Sequence, residues 1–434
     1  MAGFKQSRLV AAYSPLWKRQ ADFDTPMNVA DLTAAMPLLN RRWPGTTLTL
    51  EDVRGCTGRH LVDRILTSRV MNWSLEFNVS ALLLAGASAL LYGVAAAPTG
   101  TPANEVQTIT VTATSGTFTI TFTFEGLTAT TPALAWNATL SQVLAALEAL
   151  RSIKPGNVTA TGTLAAGLAI TFAGDLSNAN VPALVLGTGA LTGGTATIET
   201  TTPGAQRSHA ITRLITDQGP AITVVVGFEG QPETYVLYKS IVAADLRATA
   251  ARRSIVTAAL GVRGSANVQL VPSFPMPPCA AQEVIRASQC RAIVDGVTYT
   301  DLVKMEYNSS NGILDGDDAF PFDSADVSRL EVGEQWQPAY GLDLYGSNAD
   351  ALFIAGKALQ KKAASLVFGP PGNRVTFSAP SAQLQLSADE LGFGGQANRS
   401  TIPLTMTPLE VAGVVPDSVI ANIAQATALL TASV

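Results

Sequence analysis

Two histidines, His60 and His209, are all that this 434-residue chain contains, and neither lies near a candidate nucleophile in sequence. General acid–base chemistry at neutral pH draws mainly on histidine or on a tuned carboxylate pair, so both read as solvent-facing or capping residues. The spacings GxxxxGKS/T, HExxH and GxSxG are absent, which removes the parts of phosphate-loop, zinc-protease and hydrolase-elbow mechanisms. Gly392-Phe-Gly-Gly395 reads as a turn. Asp315, Asp317 and Asp318, with Asp323 and Asp326, supply oxygens of the kind that hold a hard cation, but they lack the twelve-residue spacing and terminal Glu of a calcium loop. A solvated loop is the first expectation there and cation binding the second. Arg247, Arg252 and Arg253 form a tight basic cluster without interleaved aromatic residues, which suits an intersubunit salt-bridge site better than a grip on nucleic acid. Cys56, Cys279 and Cys290 are odd in number and lack CxxC spacing, which excludes a disulfide framework and leaves small, buried, inert thiols in a reducing compartment. The expectation is a protein that is not an enzyme and has no catalytic residue, cofactor or metal.

Composition bounds the elements that carry these residues. The length calls for two or three domains, and 14% charged residues with a mean hydropathy of +0.25 point to surface buried between subunits. A net charge of −5 does not favour binding through phosphates. The first ten residues lack the apolar core of a secretory signal, so synthesis in the cytoplasm is expected. The uncharged run from Val79 to Ala97 approaches the ~20 residues that cross a bilayer. Its counterpart at 349–362 carries Asp350, Lys357, Lys361 and Lys362, which favours a buried core helix without a membrane role for both.

Residues 1–57 read as an N-terminal arm that orders on a partner, with helical periodicity at 29–39. A first β module spans 58–103 and 201–270, and residues 104–200 interrupt it. In that insert, 106–114 and 116–124 alternate apolar and polar at period two, the pattern of half-buried antiparallel strands. Leu140, Val143, Leu144, Leu147 and Leu150 share one helical face. The insert is thus a compact, exposed β domain with one helix. A stiff Pro-rich linker at 271–284 leads to a second module at 285–410, and the 411–434 tail reads as a weakly amphipathic helix.

The two modules repeat one script. Trp73-Ser-Leu-Glu-Phe-Asn78 and Tyr340-Gly-Leu-Asp-Leu-Tyr345 each precede a small-residue helix. Strands at 222–227, 240–246 and 254–260 then answer those at 365–369, 381–386 and 400–406. This order, with the run Cys290 to Ser310 and the run Val327 to Tyr345, resembles the tail tube (major tail) proteins of long-tailed double-stranded DNA bacteriophages. The similarity covers about half the chain, and the strand pair preceding Trp73 is less distinct than its counterpart at 293–307. Residues 105–199 separately resemble a β module inserted in phage tail proteins, through Glu105-Val-Gln-Thr-Ile-Thr, Trp136-Asn-Ala-Thr and Leu144-Ala-Ala-Leu-Glu-Ala-Leu.

The resemblance implies a mainly β fold with a few helices, a β-rich α+β class. Two tandem β-sandwich or partial-barrel modules would join neighbours into a trimeric, pseudo-sixfold ring. Stacked rings would form a hollow virion tail, meeting other tail proteins and the tape-measure protein and passing DNA without specific binding. Glu331, Glu334 and Asp343 are the lumen-facing acidic candidates, where like charge repels phosphate over ~8 Å. Their other reading is as ordinary outward positions of half-buried strands. The competing functional class is a bacterial surface adhesin or other cell-surface binding protein, suggested by the Thr-rich insert.

Overall fold

The structure, a computed structural model, describes residues 9–14, 17–20, 25–39, 43–54, 61–213, 219–265, 268–279, 283–300, 302–313, 336, 338–345, 350–386, 392–394, 399–410, 417–423 and 429. Strands dominate, and the chain is mainly β with a β-rich α+β character. Its first part holds β1 (Leu9–Tyr13), β2 (Ala34–Pro37), β3 (Gly45–Arg54), β4 (Leu61–Asn78), α1 (Ala81–Tyr92) and β5 (Gly93–Ala95). An inserted unit follows, with β6 (Val106–Val111), β7 (Ser115–Phe124), β8 (Leu127–Thr130), β9 (Leu134–Ala135), α2 (Leu140–Glu148), β10 (Val158–Thr163), β11 (Gly167–Phe172), β12 (Val185–Thr192) and β13 (Ala196–Thr202). Then come β14 (Ser208–Arg213), β15 (Ile222–Phe228), β16 (Val236–Ala251), β17 (Thr257–Ser265) and β18 (Val268–Leu270). The last part holds β19 (Arg291–Val294), β20 (Val297–Tyr299), β21 (Leu302–Ser310), β22 (Ala339–Tyr345), α3 (Asp350–Lys357), β23 (Lys361–Phe368), β24 (Arg374–Leu386), β25 (Gly392–Gly394), β26 (Arg399–Pro408) and β27 (Ser418–Asn422).

One antiparallel run of strands crosses the molecule in the order β3-β4-β17-β16-β21-β22-β26-β24. Period-two alternation sets its faces: Met71, Trp73, Leu75 and Phe77 are buried, while Asn72 and Glu76 between them are exposed. β16 and β24 are long enough to change partners midway. The first half of β16 pairs with β15 and β18, its second half with β17 and β21, and a register shift falls between Ala243 and Asp245. β24 keeps β23 along one side as far as Gln383 and on the other side pairs first with β27, then with β26. Bulged strands that bend in this way carry the chain from one layer to the next.

α1 fills the space inside. Ser80 caps it, its Oγ accepting from the Leu83 N–H at 3.3 Å, and Gly93 at φ 92° ends it. All its residues except Leu82 are buried, and it packs on β14, β16, β24 and β27, so it is the core helix that its sequence predicts. A Cβ on Gly86 would lie 1.9 Å from Cδ1 of Trp17, so glycine there lets the indole reach the helix backbone. Among the described residues, no helix is long and apolar enough to cross a membrane.

Several expectations change. Residues of the supposed arm are built into the fold: β1 pairs with both β15 and β2 and is wholly buried, 29–31 form a single 3-10 turn, and β3 is the strand partner of β4. The tail forms a strand where a helix was expected, because Val419, Ile420 and Ala421 fall between two open edges, those of β14 and β24. The Pro-rich stretch is not a free spacer: Phe274 is buried with Leu32, Val225, Tyr235 and Leu237.

The insert has its own core, formed between a sheet of order β10-β11-β6-β13 and a second sheet in which β7 pairs with β8, β9 and β12. Val143, Leu147 and Leu150 of the α2 face are buried in that core, with Leu140 and Leu144 packed beside them. It is not purely an outlying ornament. Glu125, at its β7–β8 turn, pairs with Arg291 and Arg374 of the last part, and Gln289 donates to Asp175 at 2.9 Å.

Candidate functional site

The face of the long antiparallel run that points away from the core is where the chain can act on something outside itself. Leu75, Leu260 and Leu246 lie side by side across β4, β17 and β16 and point inward. Their neighbours in sequence therefore point outward: Glu76 on β4, Gly261 on β17, and Asp245 and Arg247 on β16. The same row recurs in Leu342, Leu404 and Leu386 across β22, β26 and β24. Asp343 follows Leu342 as Glu76 follows Leu75, so the two modules present carboxylates at equivalent outward positions.

At the junction of the modules, Lys304, Glu306 and Asn308 of β21 line a shallow cavity of about 200 Å³ with Gly341 and Asp343. Arg247 grips Glu306 in two-pronged fashion, Nε to Oε1 at 2.7 Å and Nη2 to Oε2 at 3.0 Å, and Lys304 Nζ lies 2.5 Å from Oε2. Burial pushes the Glu306 carboxyl up, but the hydrogen bonds and charges of Arg247 and Lys304 outweigh it and hold it below its usual value. Asp343 goes the other way: burial raises it, and the nearby Glu306 charge adds to the rise against the pull of Lys304. Asp245 is also raised by burial, against the Arg263 charge and the Gly261 N–H. A Cβ on Gly261 would stand 2.0 Å from Oδ2 of Asp245, so the glycine makes room for that carboxylate. The face is polar and internally charge-matched, Glu76, Asp245, Glu306 and Asp343 standing among Arg247, Arg263 and Lys304.

Of the acidic candidates, Asp343 is on this face; Glu331 and Glu334 lie outside the described residues, as do His60, Cys56 and Asp315, Asp317, Asp318, Asp323 and Asp326. The basic cluster divides. Arg247 is engaged with Glu306 of its own chain. Arg252 and Arg253 sit at the turn joining β16 to β17, Arg253 at φ 61°, where they share a concavity with Arg286. His209 is fully buried on β14 between β5 and β27, not solvent-facing. Cys290 is buried, and its thiol is pushed up to about 12 by that burial; Cys279 is half-buried. Among the described residues, no group of His, Cys, Asp and Glu is arranged to hold a metal.

Glu76, Asp245, Lys304 and Glu306 are absent from the sequence-derived candidates. The signal for them was strand parity: each flanks an inward apolar residue. No protein-family model matches this chain, and no curated protein matches it.

Proposed function

We propose that this chain is a structural tail tube protein of a bacteriophage, assembling in the virion tail into stacked rings through which DNA passes without specific binding. The observation that carries the reading is the join between the two modules. β21 of the second module adds to the outer edge of β16, the long bent strand of the first, from Asp245 opposite Ser310 to Ala251 opposite Lys304. The run ends on β3, whose outer side pairs with no strand among the described residues, and on β24, whose outer side β23 follows as far as Gln383. A second copy joining at β3, as β21 joins β16, would extend the run head to tail, and closure after three chains would give a pseudo-sixfold ring. β3 carries exposed Leu48 and Leu50, an apolar edge that a solitary protein would be expected to blunt.

The polar, charge-matched face would then line the channel, presenting to DNA neither a basic grip nor a continuous acidic wall. Other tail proteins and the tape-measure protein are the further partners of such a tube, and the host cytoplasm is where it would be made. Negative-stain microscopy of the purified chain tests the reading: rings of three copies and stacked tubes are expected. Leu48→Pro, which places a residue without an N–H on the joining edge, is expected to abolish the rings while leaving a folded monomer. Wild-type protein that stays monomeric and attaches to cells would overturn the reading in favour of a surface adhesin.

A further inference from the structure

The turn between β16 and β17 meets the second module around a concavity of about 510 Å³, within the range of roughly 300–1,000 Å³ that small-molecule sites occupy. Backbone hydrogen bonds pin its two walls together. The Ala287 N–H donates to the Ser254 carbonyl at 3.0 Å, the Arg252 N–H donates to the Val303 carbonyl at 2.9 Å, and Ile255 pairs with Arg286 in an isolated bridge. The floor is apolar: Ala250 of β16 and Met305 of β21 lie opposite each other and are buried, with half-buried Leu302 and exposed Ile255 beside them.

Arg253 and Arg286 stand exposed on this concavity, and neither forms an ion pair with a carboxylate among the described residues. Among those residues no carboxylate lines the space, and Cys290 adds no anion because burial pushes its thiol up to about 12. Arg253 sits at φ 61°, a left-handed conformation that glycine adopts freely, while Arg252 and Ser254 on either side are bonded to the second module. The turn by itself calls for glycine, so its arginine is held at the expense of backbone strain. Positive charge above an apolar floor fits a ligand that is anionic at one end and apolar along the rest. No aromatic ring lines the space among the described residues, which leaves out a stacked nucleobase.

We propose that the concavity binds a medium-chain aliphatic carboxylate, its headgroup held by the forks of Arg253 and Arg286 and its chain laid along Ile255, Leu302 and Met305. A planar guanidinium matches a carboxylate with two parallel hydrogen bonds. The ligand touches the first module through Arg253 and Ile255 and the second through Arg286, Leu302 and Met305, so its binding stabilises the join of β16 to β21. The site neither needs nor excludes a tube.

Calorimetric titration of decanoate into the full-length chain, below the concentration at which it forms micelles, is expected to show one saturable site per chain. Hexanoate is expected to bind about tenfold or more weaker because it buries fewer methylenes, and high salt is expected to weaken both. Arg253→Gly with Arg286→Gln is expected to weaken decanoate binding about tenfold or more. The thermal midpoint of that unliganded variant is expected to stay within a few degrees of the wild type, since glycine relieves the turn. Arg253→Glu with Arg286→Glu is expected to lose decanoate and to gain decylammonium, an exchange that excludes misfolding as the cause. Decanoate is also expected to raise the midpoint of the wild type as its concentration rises and to leave the glutamate variant unmoved. Absence of a saturable decanoate site in the wild type overturns the proposal, as does binding that ignores the arginine substitutions. Flotation of the wild type with phosphatidylglycerol vesicles, in place of decanoate binding, would overturn it in favour of a lipid surface.

Discussion

Glu125 shows how one half-buried residue can decide whether two units stay together. Its carboxylate faces two guanidiniums, of which Arg291 is only 6% exposed. Burial raises Glu125 and lowers both Arg291 and Arg374, each cation pulling the carboxyl back down. Removing one partner from such a group leaves charge unpaired, whereas replacing the whole group by apolar residues is often neutral. Glu125→Gln is therefore expected to cost about 3 kcal/mol in urea unfolding and to expose the insert to limited proteolysis. Glu125→Leu combined with Arg291→Met and Arg374→Met is expected to lie close to the wild type. Titration offers a second test at this scale. Lys304 lowers both Glu306 and Asp343, so Lys304→Met is expected to move both carboxyls up when followed by NMR. The sign for stability differs between them. Glu306, depressed in the fold, stabilises above its ordinary 4.5, and this is lost as pH falls through its folded value. Asp343, raised in the fold, favours the native state below its ordinary 3.8 and loses this as pH rises through its folded value. Without Lys304 the stability that Glu306 contributes should be smaller, and its loss on acidification should be complete at a higher pH.

Elements differ in how plainly the sequence announces them. β4, β6, β7 and β11 alternate at period two because each buries one side only, and α1 reads as a core helix because it is apolar all round. Asp343, named from the resemblance as a lumen-facing candidate with an ordinary outward strand position as the other reading, lies beside inward Leu342. The pairing of Arg247 with Glu306 was not legible, since the partners are 59 residues apart and meet only because β21 adds to β16. Short apolar runs were ambiguous for a different reason: Val419-Ile420-Ala421 satisfies a helical stripe as well as a strand, and the decision came from β14 and β24, which stand on either side. That origin has a consequence. Ile420 is 43% exposed, but its backbone lies between Ala210 and Thr376 in the sheet. Ile420→Ser is expected to change stability by less than about 0.5 kcal/mol. Ile420→Pro, which removes a ladder donor from an interior strand, is expected to cost about 3 kcal/mol or more. Equal thermal midpoints for the two variants would mean that residues 418–422 do not hold their place as a strand.

Among the described residues, two large cores of unequal size share one chain, with a small cluster around Phe274 beside them. The larger draws on both modules, from Leu9 to Leu429, whereas the smaller belongs to the insert alone, from Ile109 to Leu184. Where the chain leaves for the insert and returns, Ala103 and Ala205 exchange backbone hydrogen bonds at 3.0 and 2.9 Å, and Thr99 and Ser208 do the same at 2.9 Å. The two crossings are thus already adjacent, so replacing 104–204 by a short Gly-Ser turn costs little loop-closure entropy. The excision alone would strand Arg291 and Arg374 without Glu125, and it should destabilise the remaining body for the reason that Glu125→Gln does. Excision together with Arg291→Met and Arg374→Met removes that penalty. β3, the edge proposed to join copies, pairs with no strand of the insert. The compensated deletion is therefore expected to fold in one cooperative transition and to form rings by negative-stain microscopy as the full chain does. Folded monomers from that deletion, under conditions where the full chain makes rings, would show that the insert builds the ring wall.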